Sequence, residues 1–307
     1  QGEILVSLME DIQEEGMMGA LIFSWQDEWF KKTWNTMDID IANRRAYWMD
    51  YQTNEQSFGI LAFDPGEEQS VCYVDGENTE WDEMVETNRF GKEALYLPIN
   101  TIAGQGNTQY KGVSLGQGAD FLLMLDGKEN SSLRIDPYYD SNYFMYGYAL
   151  PLMERNLAYE TTDSGMFVPI HMMLDRGLTL TDGKKVPYSL FETGKLQYGI
   201  ANPDSENYDS LADFYAENGV VEIRIPWLLL NIADPSSRQV IGDMYAANQI
   251  THQKIDQIDV GIFSEDTDRD VTWGQYSWPE WETPTYHERL KESHPIIQAY
   301  FAGIQDA

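Results

Sequence analysis

The sequence predicts a mainly β chain: an antiparallel β-sandwich of jelly-roll type preceded by a short α/β segment. Three observations predict it. From about Phe58 onward, seven short runs are rich in β-branched, aromatic and other apolar residues: FGILAF, SVCYV, EALYLPI, ADFLLMLD, MFVPIHMML, VVEIRIPW and DVGIF. Between them stand DPG, DGEN, DGKEN, TDGKK and NPDSEN, which carry the Asp, Asn, Gly and Pro that tight turns require. No amphipathic helix recurs regularly between the runs, which favours antiparallel sheets over a doubly wound parallel one.

The N-terminal elements follow a different pattern. In GEILVSLMEDIQEEG, Ile4, Leu5, Leu8, Met9 and Ile12 form a helical stripe, and Gly16 is a natural stop. The apolar run MMGALIFSW, residues 17–25, reads as a strand covered on both faces. Next comes WQDEWFKKTWNT, residues 25–36, dense in Trp, carboxylate and amide groups where the chain would leave a sheet. Loops at the carboxyl ends of parallel strands are where α/β barrels place their sites. A polar linker is expected over about 37–57, dividing the chain into an αβ segment, 1–57, and a β domain, 58–307. Within that domain SLADFYAE (210–217) and RLKESHPIIQAYF (289–301) are helical candidates.

Composition bounds the function. The 307 residues are 42% hydrophobic and 13% aromatic, enough to build a core. Fifty-one acidic against 20 basic residues give a net charge of −31, which repels phosphate backbones and argues against nucleic-acid or anionic-membrane partners. A single cysteine, Cys72, excludes an internal disulfide framework and a clustered-thiol metal site, and its strand setting reads as small and buried. The apolar stretches are too short for a helical membrane span. The chain opens on Gln, and we read it as a fragment of a longer or processed protein.

Three segments carry a resemblance. YVDGENTEWDEM (73–84), ADFLLMLDGKEN (119–130) and VVEIRIPWLLLNI (220–232) resemble landmarks of the family 9 carbohydrate-binding module and related DOMON-like sandwiches. An opening "DG…EW" turn and a late "E-x-x-I-P-W-x-x-L" strand, here Glu222, Ile225, Pro226, Trp227 and Leu230, mark that pattern over roughly residues 58–285. Compared with the family, insertions fall near 136–165 and 178–218. Separately, GALIFSWQDEWFKKTWN looks like the last strand and loop of a (β/α)8 glycoside-hydrolase-like barrel. Together these resemblances imply the C-terminal region of a large, secreted or surface-anchored bacterial protein. They imply binding of a polysaccharide or oligosaccharide beside an upstream catalytic domain of the same chain.

Candidate residues divide by chemistry. Trp273, Tyr276, Trp278 and Trp281 fall in one Pro-interrupted segment, and Tyr138, Tyr139 and Tyr143 in another that continues to Tyr146 and Tyr148. Flat rings stack on the apolar C–H faces of sugars, while the same rings also pack readily inside a protein. Trp81 and Trp227 read as structural. Asp27 and Glu28 are the weak catalytic candidates for glycoside hydrolysis, the alternative function. Their adjacency points them in opposite directions on an extended chain, which suits an interdomain contact better. Asp266, Asp268 and Asp270 alternate in SEDTDRD as candidate Ca²⁺ ligands, although the loop lacks the glycine and closing Glu of an EF-hand. No other cofactor is expected. The four histidines lack zinc spacing, and no nucleophile elbow or phosphate loop is present. A purely structural or docking module is the third reading, because an acidic, aromatic surface serves scaffolding equally well.

Overall fold

The computed structural model describes residues 1–31, 33–39, 41, 55–68, 71–81, 93–217, 219–264 and 269–304. The N-terminal helix spans Gly2–Glu14 and ends where Gly16 takes φ +67°, a left-handed conformation that costs glycine little. It packs on a C-terminal helix, Ser293–Gly303. At Gly2 the two come so close that a Cβ would stand 2.9 Å from the Ser293 Cα. Pro295 lies in the first turn of that second helix, where its missing N–H is harmless.

The described strands, in chain order, begin with β1 (Leu61–Pro65), β2 (Leu95–Asn100), β3 (Asn107–Tyr110), β4 (Val113–Ala119), β5 (Phe121–Leu125) and β6 (Ser132–Ile135). There follow β7 (Val168–Pro169), β8 (His171–Asp175), β9 (Leu178–Thr179), β10 (Lys185–Val186), β11 (Ser189–Glu192), β12 (Phe214–Glu217) and β13 (Val220–Ile223). The last are β14 (Ile232–Asp234), β15 (Gln239–Ile241), β16 (His252–Lys254), β17 (Ile258–Ser264), β18 (Thr272–Tyr276) and β19 (Tyr286–Leu290). Every pairing between these strands is antiparallel, so the chain is mainly β as predicted.

The largest sheet has the order β18-β17-β2-β5-β6-β7. Its register sets Leu97 against Leu123 and Leu123 against Leu133. One face carries Leu95, Ile99, Phe121, Leu123 and Ile135, which pack with Phe214 of β12, Ile232 of β14, Val240 of β15 and Trp278. The opposite face carries Tyr96, Leu122 and Phe263, roofed by Val113 and Leu115 of the β3–β4 hairpin and by Phe167. With both faces covered, β5 reads FLLML and not as a polar–apolar alternation. Phe121 and Leu133 are fully buried, each stabilising the fold by about 2–3 kcal/mol.

Four expectations are corrected. Residues 17–25 form no strand, and Met18 and Leu21 are almost fully exposed. A strand needs neighbours along its length to satisfy its backbone, and this run bonds to the 58–61 segment only at its end, where the Ser24 N–H donates to the Phe58 carbonyl and the Trp25 carbonyl accepts the Ile60 and Leu61 N–H groups. The described part of SVCYV is loop, with Cys72 exposed and the Tyr73 N–H donated to the Glu80 carboxylate and not to a neighbouring strand. SLADFYAE yields β12, since Phe214 pairs with Ile223 and pairing overrides helical propensity. In RLKESHPIIQAYF the first residues complete β19, and the helix starts only at Ser293. Within the β domain, β1 pairs with β19, Leu61 opposite Leu290, so its first and last strands lie side by side.

Candidate ligand-binding cavity

A cavity of about 590 Å³ opens beside the start of β6 in the main sheet, ahead of the residues that pair with β7. Its floor is the strip Thr193–Gln197, bonded along β6: the Leu133 N–H donates to the Gly194 carbonyl (2.7 Å) and the Leu196 N–H to the Ser131 carbonyl (3.0 Å). Gly194 is required there, since a Cβ would lie 2.3 Å from the Leu133 oxygen. The Asp213 N–H donates to the Gln197 carbonyl at 2.8 Å, and the Gln197 N–H donates to the Asp213 carboxylate at 2.8 Å.

One wall comes from the turn after β5. Gly127 takes φ +67°, and Ser131 stitches the turn by donating to the Gly127 carbonyl (2.6 Å) while accepting the Asp126 N–H (3.1 Å). This presents Lys128 and Glu129 to the cavity. The Lys128 ammonium sits 4.1 Å above the Tyr198 ring, and Tyr198 is braced by Phe214 and Tyr215 and by its hydroxyl donating to the Ala216 carbonyl. The other wall is Phe191 and Leu211, each about half exposed, with Glu192 and Lys195 beside them. Lys128, Lys195, Glu129 and Glu192 make no ion pair among the described residues. Two ammoniums, two carboxylates and an open aromatic face therefore converge on one concavity.

The "DG…EW" turn and the late strand meet behind this cavity. Glu222, 3% exposed, accepts the Asp75 N–H (2.8 Å), the Gly76 N–H (2.5 Å) and the Trp81 indole N–H (2.7 Å). Gly76, at φ +92°, lies against the Tyr215 ring that braces Tyr198. Asp75, Glu80 and Glu222 bring carboxylate oxygens within 4.8 Å of one another, the one such acidic trio among the described residues. Each already accepts protein N–H groups, so the trio acts as a knot of the fold. Trp227 is likewise structural, lying 4.8 Å from Trp278.

The structure redistributes the expected site residues. Tyr139, Tyr143 and Trp278 are buried. Their polar ends are satisfied inside: Tyr139 donates to Gln105 Oε1, Tyr143 to the Asn156 carbonyl and Trp278 to the Pro235 carbonyl. Tyr138 is half-buried and donates to Asp243, Trp273 is half-buried and donates to the Leu115 carbonyl, and Trp281 packs on the main core. Large rings with a reachable internal acceptor gain more from burial than from facing water. Tyr276 alone of the seven is open, 52% exposed and stacked 5.7 Å from Trp278.

Asp27 and Glu28 are separated between two cations. Asp27 is buried and bonds Lys291 at 2.6 Å, while burial holds its carboxyl above the ordinary carboxylate range. Glu28 bonds Lys31 (2.9 Å), which also pairs with Glu55 (2.6 Å). These pairs fasten residues 26–31 to the C-terminal strand and the 55–57 turn, and do not form an acid–base couple. Asp266 and Asp268 lie outside the described residues, and Asp270 is exposed. No family model matches the chain, and neither a curated protein nor a solved structure does.

The cavity residues Lys128, Glu129, Phe191, Glu192, Lys195 and Tyr198 were not singled out by the sequence. Their only signal is charge set beside glycine in DGKEN and FETGKLQYG, within a landmark segment and an insertion already noted.

Proposed function

We propose that this chain is a non-catalytic carbohydrate-recognition module, a β-sandwich of the family 9 carbohydrate-binding-module type that receives an oligosaccharide, or one end of a polysaccharide, in this cavity. The observation that carries the reading is the open Phe191 ring beside four unpaired charged side chains of balanced sign. Sugar C–H faces stack on such a ring, hydroxyls donate to Glu129 and Glu192, and ring or hydroxyl oxygens accept from Lys128 and Lys195. The balance of charge suits a ligand with no net charge. The bonding of the Asp75–Trp81 turn to Glu222, and the cover on both faces of the main sheet, support the sandwich assignment. Exposed Met18, Leu21, Phe23 and Trp25 support a neighbouring domain of a larger, secreted or surface-anchored carbohydrate-active parent.

A glycan array followed by affinity electrophoresis tests this. We expect retention on a neutral glycan, lost in Phe191→Ala and weakened at least about tenfold in Lys195→Ala, with unchanged circular dichroism. No retention at any protein concentration sinks the proposal in favour of a structural module. Turnover of aryl glycosides by this chain, abolished by Glu28→Gln, sinks it in favour of a hydrolase.

A further inference from the structure

The tyrosine-rich segment leaves one buried polar atom unaccounted for. Asp136 has 0% exposure. Its Oδ1 accepts the Tyr138 N–H at 3.1 Å and caps the 3-10 turn Pro137–Tyr139, but its Oδ2 has no hydrogen-bond partner. A buried carboxylate oxygen without a donor is costly enough to call for water, a proton or an ion.

Its surroundings are anionic. Asp120, 1% exposed, accepts the Asp136 N–H on its backbone carbonyl at 2.8 Å, and the charges of Asp120 and Asp163 both act on the Asp136 carboxyl. Neither Asp120 nor Asp136 pairs with a lysine, arginine or histidine among the described residues. Asp120 is held by the Thr101 N–H (2.8 Å) and the Thr101 hydroxyl, one on each oxygen, with the Ile102 N–H also acting on the carboxylate. Neutral oxygen-bearing groups close the nest: the Tyr139 phenol feels both aspartates and donates to Gln105 Oε1 (2.8 Å), and Asn100 donates to the Gln105 carbonyl (3.0 Å).

We propose that this nest binds one calcium ion, taken by the free Oδ2 of Asp136 and the carboxylate of Asp120, with neutral oxygens completing its shell. Calcium accepts a flexible shell of protein oxygens, whereas magnesium keeps several waters that so closed a site does not admit. The ion would tie the end of β6 to the junction of β4 and β5. This inference stands on different residues from the sugar cavity and is independent of it.

The test uses the full chain stripped with EGTA. Calorimetric titration with CaCl₂ should show one tight site above the weak binding that a charge of −31 invites, together with a rise in Tm that MgCl₂ does not reproduce. Asp136→Asn should weaken that site at least about tenfold and abolish the Tm rise. Asp270→Asn, on the exposed acidic loop, should leave both in place. Terbium luminescence lifetimes in H₂O and D₂O, read on the wild-type chain, should reveal a calcium-displaceable site with few coordinated waters. Equal calcium responses in the wild type and Asp136→Asn, or only fully hydrated terbium, would overturn the proposal.

Discussion

Glu222 accepts three N–H groups from a turn 141 to 147 residues earlier in the chain, an arrangement that calls for an acceptor on both side-chain oxygens. In Glu222→Gln one oxygen becomes an NH₂ facing N–H donors. We expect a loss of about 2–4 kcal/mol in urea unfolding, with a shift in tryptophan emission as Trp81 is released. Asp140 is a second informative position. It is buried, accepts the Tyr143 N–H at 3.0 Å, and burial pushes its carboxyl up to about 6 from the ordinary 3.8. Because the folded state holds this proton more tightly than the unfolded one, stability is greatest below the ordinary value and declines as pH rises to about 6. The decline amounts to as much as about 3 kcal/mol and levels off above that. Asp140→Asn, which keeps the cap but cannot ionise, should show a shallower decline in denaturant midpoint between about pH 4 and about pH 7.

At the scale of elements, the strip 193–197 is both an extension of the main sheet and the floor of the cavity, so a backbone change there should act on both roles. Gly194→Ala would force a Cβ to 2.3 Å from the Leu133 carbonyl. It should cost about 1–3 kcal/mol and remove glycan retention together, whereas Phe191→Ala removes retention at nearly unchanged stability. Comparing urea midpoints with gel retardation for the two variants checks the difference. The long apolar runs of β2, β5 and β17 were legible in the sequence, because a chain buried on both faces must be apolar throughout. The run 17–25 was equally apolar, yet ladder bonds and burial depend on neighbours that hydropathy does not contain. SLADFYAE was ambiguous locally and was decided by β13. The cavity was the least legible part: its charges read as ordinary turn residues, and only the tertiary path of 191–198 past 127–129 brings them together. The aromatic-dense loops were conspicuous for composition, but Tyr139, Tyr143 and Trp278 found acceptors inside.

Across the whole molecule, a charge of −31 spread over 307 residues opposes compaction through self-repulsion. Screening should therefore stabilise: we expect Tm to rise between roughly 0.01 and 0.15 M NaCl, as the Debye length falls from about 30 to about 8 Å, and then to flatten. Differential scanning calorimetry across that range would show it, and a flat or falling response would place the opposing charges in favourable local pairs. The joined ends of the molecule have a separate consequence. The helix Gly2–Glu14 starts beside Ser293, with Ser293 donating to the Gln1 side chain at 2.9 Å, and Tyr300 reaches Gln13, so the two helices run side by side in the same direction. The last eleven-residue helix spans only about 16 Å. A linker of roughly eight residues could thus close the polypeptide into a ring, and the exposed turn at Thr181–Gly183 offers a place to open it. A circular permutant cut there should fold to the same far-ultraviolet spectrum, because the order in which the segments are synthesised is not what holds them together.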